Sequence, residues 1–371
     1  MRYVLQSEHV VTPTGVQPAQ IHVEGGRIVA VGDELPEPEG EYAELDAGDL
    51  VIMPGGVDIH THLELTVGGV RTADDWASGS RAALMGGTTT VVDFAEPGED
   101  GSLERGLAAH QRLIDEGSMV DAGLHMTVTD ASDARLREMG DIVLAGQTSF
   151  KVYTAYDAYR LDEAGLSRVF ARAAELGARV WVHCEAWAPI VERTVAAKMA
   201  GTLSALQHAR TRPPETEADA VAQVIGLAER AGAAVHLAHL STAESVTLAA
   251  EARQRGVQVS AETCPHYLWL EEHRLGWAPP AGLCHICAPP LRTARHLHAL
   301  WQGLADGVIE AVATDHCPFH WLGGKDRGWV DGVEEDFTRV PGGLPGVETR
   351  LPLVFAGGVA GGLFDLARFV D

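Results

Sequence analysis

The stretch VDIHTHLEL, Val57 to Leu65, sets two histidines one residue apart inside an apolar run. Val57, Ile59 and Thr61 alternate with Asp58, His60 and His62. In a strand, that alternation places the three polar side chains on one face. Burying imidazole without a partner is costly. Something on that face must offset the cost, and a metal ion is the leading candidate.

Working outward, the same kind of run recurs. GVDIHTH, TTTVVDFA, DAGLHMTVT, TSFKVYTA, ARVWVHCE, AAVHLAHLS, VQVSAETC and IEAVATDH all read as strands. Helix-like segments separate them, among them RTADDWASGSRAALMGG, EAGLSRVFARAAELGA, TEADAVAQVIGLAERAGA and TAESVTLAAEARQRG, several ending at Gly. Eight alternating strand and helix units predict a (β/α)8 TIM-like barrel, whose reactive residues gather at the C-terminal ends of the strands. An open doubly wound sheet is the alternative, but no Gly-rich phosphate loop follows the first strand. The first fifty residues differ, with short β-like runs broken by Gly and Pro and a hairpin signal at EGGR. The expected organisation is a small β-sandwich-like unit at 1–50 and the barrel at 51–371. The long Gly-rich stretch from His320 to Phe337 reads as a mobile lid.

Composition narrows the function. The chain has 371 residues, 46% of them apolar, enough for one large domain with a small satellite. Its 28 basic and 52 acidic residues give a formal net charge of −24. Such a field repels phosphate backbones and anionic lipid, so neither nucleic acid nor a membrane is an expected partner. The apolar stretch from Leu351 to Phe364 is too short to span a bilayer, and the N-terminus lacks the long apolar segment of a signal peptide. Five cysteines, an odd number in a long chain, argue for a reducing cytoplasm and against a disulfide framework.

The predicted strand ends carry the chemistry. Strand one ends in His60 and His62, and strand four carries Lys151 among apolar neighbours. Strand five ends in His183, strand six in His239 and strand eight in Asp315. Singly, each has a bland reading: a satisfied core histidine, a snorkelling lysine, a capping aspartate. Jointly, all six fall at the mouth of one barrel, which makes a metal site. A protonated lysine would repel divalent cations there. Apolar burial lowers a lysine's pKa, and a neutral amine takes up carbon dioxide to give an anionic carbamate with two oxygens, able to serve two metals.

The blocks MPGGVDIHTHLEL, GGTTTVVDFA, SFKVYTAY, RPPETEADAV, ETCPHY, PPLR, ATDHCPF and GLPGVETRLPL, in order from about Met53 to Pro352, resemble the hydantoinase/dihydropyrimidinase branch of the amidohydrolase superfamily. The resemblance implies a binuclear zinc hydrolase that opens cyclic amides such as hydantoins and dihydropyrimidines to N-carbamoyl amino acids, assembled as a homotetramer. By matching motif, His60, His62 and Asp315 bind one zinc. Lys151, as its carbamate, joins that zinc to a second held by His183 and His239. Asp315 also moves the proton, and Tyr156 matches the family's transition-state tyrosine. Manganese, iron or cobalt suit the same ligands.

Departures from the family pattern touch substrate binding. Ala288 stands where a serine is usual and Gly342 where an asparagine is usual, at positions that hold the substrate ring largely through main-chain atoms. Thr66 and Val67 replace a Pro-aromatic pair, which leaves side-chain preference and stereoselectivity open. Related chains continue beyond Asp371 with strands that complete the small β unit, so that unit is expected to lack them. Glu64 stands where dihydroorotase and allantoinase resemblances expect an arginine. This disfavours dihydroorotase, while allantoinase and cyclic imide hydrolase stay as alternatives. A non-catalytic scaffold of the same fold would have lost ligands that are all present here. The pair Cys284 and Cys287 in CHIC lacks the second pair that a structural zinc needs. His316 and Cys317 read as groups that orient the site, His266 is ambiguous, and Tyr153 and Tyr159 either line the substituent pocket or pack.

Overall fold

Strand formation follows the apolar runs closely. In the computed structural model, which describes residues 1–371, the eight barrel strands are β1 Gly56–Thr61, β2 Thr88–Ala95, β3 Asp121–Thr127, β4 Ser149–Tyr153, β5 Arg179–His183, β6 Ala234–Leu237, β7 Val259–Thr263 and β8 Ala311–Val312. They lie side by side in sequence order, and β2 to β8 pair in parallel. A parallel bridge between Thr61 and His316 joins the two ends of the sheet. The buried Asp58 carboxylate reinforces that seam, accepting from the Thr314 amide at 3.0 Å and the Thr314 hydroxyl at 2.6 Å. Eight parallel strands in a nearly closed ring, with helices between them, make a TIM barrel.

Period two sorts the strand residues. Phe150, Val152, Val180, Val182, Val235 and Leu237 are buried and apolar. Between them, Lys151, Trp181 and His236 share the opposite set of positions, aligned by the registers Lys151–Trp181 and Trp181–His236. The helices start and stop where local chemistry directs. Asp162 caps Glu163–Leu176 by accepting from the Gly165 amide, and Gly177 ends it at φ +65°. Pro214 opens the helix Pro214–Ala231, and Gly232 closes it at the same φ.

The chain divides into two compact units: Val57–Leu353, and Met1–Gly56 together with Val354–Asp371. The expected boundaries of 1–50 and 51–371 therefore differ from the observed ones at both ends. In the smaller unit Arg2–Thr12, Gly15–Glu24 and Arg27–Gly32 form an antiparallel sheet, and Ala43–Asp46 and Val51–Ile52 add to the first strand in parallel. Val10, Ala19 and Ile21 form its core, with Leu5, Val23 and Ile52 packed against them. The short helix Leu366–Val370 packs on the first two of these strands, which is why the C-terminal tail counts with them. No helix is long and apolar enough to cross a membrane.

The stretch from His320 to Phe337 differs from a mobile lid. It holds a 3-10 turn, Lys325–Gly328, and a two-stranded ribbon, Trp329–Val330 with Glu334–Glu335. Phe337 and Val340 are buried in a cluster with Leu275, Leu283 and Ile286, against which Trp321 and Trp329 pack. The Lys325 ammonium is buried too and donates to the Ile286 carbonyl at 2.7 Å. Apolar anchors at both ends of this segment make it a packed wall.

Candidate metal centre and active site

The C-terminal ends of the strands surround a cavity of about 1040 Å³. His60, His62, Lys151, His183, His239 and Asp315 all line it, and so do Tyr156, Ala288 and Gly342. The nine residues singled out in the sequence thus meet at one mouth. Their placement is finer than strand ends alone suggest. His239 and Asp315 lie just beyond β6 and β8, with positive φ of 39° and 47°, and Tyr156 follows β4 at φ 70°. Only five non-glycine residues have positive φ, and three of them are here. Backbone held in this sparsely populated region marks sites that the surrounding fold over-determines.

Two groups of ligand atoms face each other. His60 Nε2 lies 3.3 Å from His62 Nε2, and Asp315 Oδ1 lies 3.2 and 3.1 Å from those same nitrogens. Donor atoms about 2.0–2.1 Å from a tetrahedral metal stand about 3.3 Å apart, so this triangle has the edge lengths of a coordination face. The second group is His183 Nδ1 and His239 Nε2, 3.0 Å apart. His239 Nδ1 is buried with no partner. Lys151 is 1% exposed, with its Nζ 4.6 Å from the centre of the Phe94 ring and 5.1 Å from that of Tyr153. The donor set of four imidazoles, a carboxylate and a buried amine fits divalent metal ions.

Electrostatics set the protonation states. Burial pushes the Lys151 ammonium below the ordinary lysine range, against the pull of Glu262 and Asp315. Burial alone would raise the Asp315 carboxyl, but His60 and His62 hold it well below the usual range, as a carboxylate. His183 and His239 are lowered by burial, so their imidazoles are neutral and free to act as ligands. Burial raises the Tyr156 phenol, which stays protonated as a hydrogen-bond donor.

Behind the ligands stand groups that sequence reasoning missed. Glu262 bonds to His60 Nδ1 and accepts from His236 Nε2 at 3.1 Å and from the His239 amide at 3.2 Å. Glu185 accepts from His183 Nε2 at 2.9 Å and pairs with Arg212, whose guanidinium carbon lies 5.7 Å from the Tyr156 ring centre. Burial opposes the Glu185 charge, yet Arg212 and His183 hold its carboxyl down to about 2. Carboxylates on the outer nitrogens of His60 and His183 fix each tautomer with its inner nitrogen turned to the cavity. Faint signals were present: Glu185 sits two residues after His183, and Glu262 is an acid inside the apolar run VQVSAETC.

The other flagged residues fall into place. His316 is held by Asp74 at 2.9 Å and accepts from the Gly346 amide at 3.1 Å, while its carbonyl accepts from the His62 amide. It braces the backbone beside Asp315. Cys317, Tyr153 and Tyr159 line the cavity. Cys284 is exposed and Cys287 buried, in a 3-10 turn and the loop after it, with Cys287 accepted by the Pro289 carbonyl. His266 is buried with Nε2 unpartnered and does not line the cavity.

Comparison with known proteins agrees with this architecture. Residues 51–339 match the amidohydrolase family model. The chain is 35% identical to a D-hydantoinase of Geobacillus stearothermophilus, covering all of this chain and 78% of the relative. It is 37% identical to a D-phenylhydantoinase of Escherichia coli strain K12, covering 100% and 79%. The crystal structure of a dihydropyrimidinase from Brevibacillus agri superposes with a TM-score of 0.95 at 36% identity, covering 100% of this chain and 79% of that one. With the barrel, the ligand geometry and these likenesses together, the chain belongs to the amidohydrolase family, in its hydantoinase and dihydropyrimidinase branch.

Proposed function

We propose that this protein hydrolyses the ring amide of 5-substituted hydantoins and dihydropyrimidines, giving N-carbamoyl amino acids, with two divalent ions held at the barrel mouth. The observation that carries the reading is the convergence of six ligand side chains from five strands on one cavity. His60, His62 and Asp315 would hold one ion and His183 and His239 the other, with zinc the metal their nitrogen and oxygen donors suit best. Lys151 would serve both. Its neutral amine forms an N–C bond to carbon dioxide and loses a proton, leaving an anionic carbamate whose two oxygens are ligands. When bound, the ions supply Lewis acidity at the ring carbonyl and draw the pKa of water toward neutrality.

The chain's own groups then divide the work. Asp315, a carboxylate, takes the proton of the attacking water and returns it to the ring nitrogen as the C–N bond breaks. Tyr156 donates to the oxygen on which negative charge develops. Main-chain atoms at Ala288 and Gly342 hold the amide edges of the ring. A Cβ at Gly342 would meet the Ala288 amide nitrogen only at 3.8 Å, an ordinary contact, so the backbone there has room beside it. The proposed configuration at the substituted carbon is D, as in the D-hydantoinase and D-phenylhydantoinase relatives. A homotetramer is the proposed assembly.

The reading is tested by turnover of metal-loaded protein with a 5-substituted hydantoin, dihydrouracil, allantoin and succinimide. Ring opening of the first two, and a loss of about 10²–10⁴-fold in Asp315→Asn with its metals retained, is the expected result. Turnover of allantoin or succinimide alone would overturn it.

A further inference from the structure

Glu96 is a half-buried carboxyl on the cavity wall that the chemistry above leaves without work. It follows β2 directly, in DFAEPG, and lines the cavity together with Lys151, Tyr153 and Tyr159. Its main chain is pinned from behind. The Glu96 amide donates to His110 Nε2 at 3.5 Å, and its carbonyl lies so close to the helix Leu103–Gly117 that a Cβ on Gly106 would stand 2.1 Å from the oxygen. One carboxyl oxygen accepts from the Thr127 hydroxyl at 3.4 Å. The other is open to the solvent of the cavity, where an arriving donor can take the place of water. A carboxyl pinned in this way on a cavity wall, with one oxygen open, is placed to accept from a ligand donor.

Its neighbours say which donor. The Tyr153 and Tyr159 rings lie 5.3 Å apart and border the same cavity. Aromatic faces beside a carboxyl favour a cation over a neutral or anionic group. Burial pushes the Glu96 carboxyl up to about 7, with Thr127 opposing, so it ionises readily when a cation arrives. The molecule's net charge of −24 draws cations toward the mouth. Lys198, Arg327 and Arg339 also border the cavity, but all three are exposed, where water and salt screen them. Arg212, the largely buried guanidinium on the lining, is already paired with Glu185, so Glu96 decides at the substituent.

We propose that Glu96, with Tyr153 and Tyr159, forms a subsite for a protonated amine at the end of the ring substituent, so that the preferred substrates are hydantoins with basic side chains. The inference rests on the ring-opening reading above. It makes Glu96 a specificity residue, since the carboxyl touches the substituent and takes no part in bond cleavage.

The test compares two hydantoins of matched length, one carrying a 4-aminobutyl substituent and one carrying pentyl, as a ratio of kcat/KM values. A charged hydrogen bond lost to an uncharged partner should lower the amine-to-alkyl ratio about tenfold or more in Glu96→Gln, and reverse it in favour of pentyl in Glu96→Leu. A ratio is indifferent to the fraction of folded protein, because misfolding lowers both rates alike. An unchanged ratio in both variants, with pentyl still turned over by the parent protein, would overturn the subsite alone. Failure of the parent protein to open either ring would overturn the ring-opening reading and the subsite with it.

Discussion

Arg212 holds Glu185, Glu185 holds His183, and His183 faces His239 across 3.0 Å. This chain runs from the edge of Tyr156 to one metal position, so a single guanidinium supports two parts of the site. Arg212→Met should therefore cost about ten- to a hundredfold in activity and in affinity at that position. Chelator competition reads the affinity without any substrate. Glu262→Gln should weaken the other position by a similar factor through His60. At this scale the sequence was partly legible. The candidate ligands stood out because histidine, lysine and aspartate are unusual at the ends of apolar strands. Arg212, Glu185 and Glu262 did not, because which imidazole a carboxylate supports depends on contacts between strands far apart in sequence. The positive φ at Tyr156, His239 and Asp315 was likewise invisible, since none is glycine.

Strands and helices were the easiest elements to read, because periods of 2 and 3.6 survive in the chain wherever one face is buried. Phe150 lies on β4, is fully buried, and neighbours Lys151; truncation to alanine should cost about 3–5 kcal/mol, measured by chemical denaturation. The wall from His320 to Phe337 was misread, because glycine and mixed charge suggest a loop while burial of Lys325 and Phe337 depends on partners at Leu275 to Ile286. Burial lowers the Lys325 ammonium from its ordinary 10.5 to about 8. Between those two pH values the unfolded chain holds the extra proton, so stability rises with pH, by up to about 3 kcal/mol. Below about pH 8 both states are charged and that gain is absent. Denaturation of the parent protein and Lys325→Met across this window should show the slope in the parent and its loss in the variant. Equal slopes would contradict the burial of a titrating ammonium.

At the scale of the molecule, the barrel unit was legible from alternation alone, whereas the unit boundary was not. The tail from Val354 to Asp371 reads as one more helical piece, and only its packing on the first two strands assigns it to the smaller unit. That unit ends in the edge strand Arg27–Gly32, whose Ile28, Val29 and Val31 are exposed. Unpaired apolar edges invite pairing with another chain. Val29→Lys should reduce concentration-dependent association seen by light scattering, with catalysis at the barrel mouth kept. The central claim is that six side chains gather two divalent ions around a carbon-dioxide-modified lysine. A crystal structure of zinc-loaded protein prepared with bicarbonate tests it most directly. The account predicts two anomalous peaks, one at His60, His62 and Asp315 and one at His183 and His239, with carbamate density on Lys151 touching both. A bare Lys151 amine, or metal bound away from these residues, would contradict it.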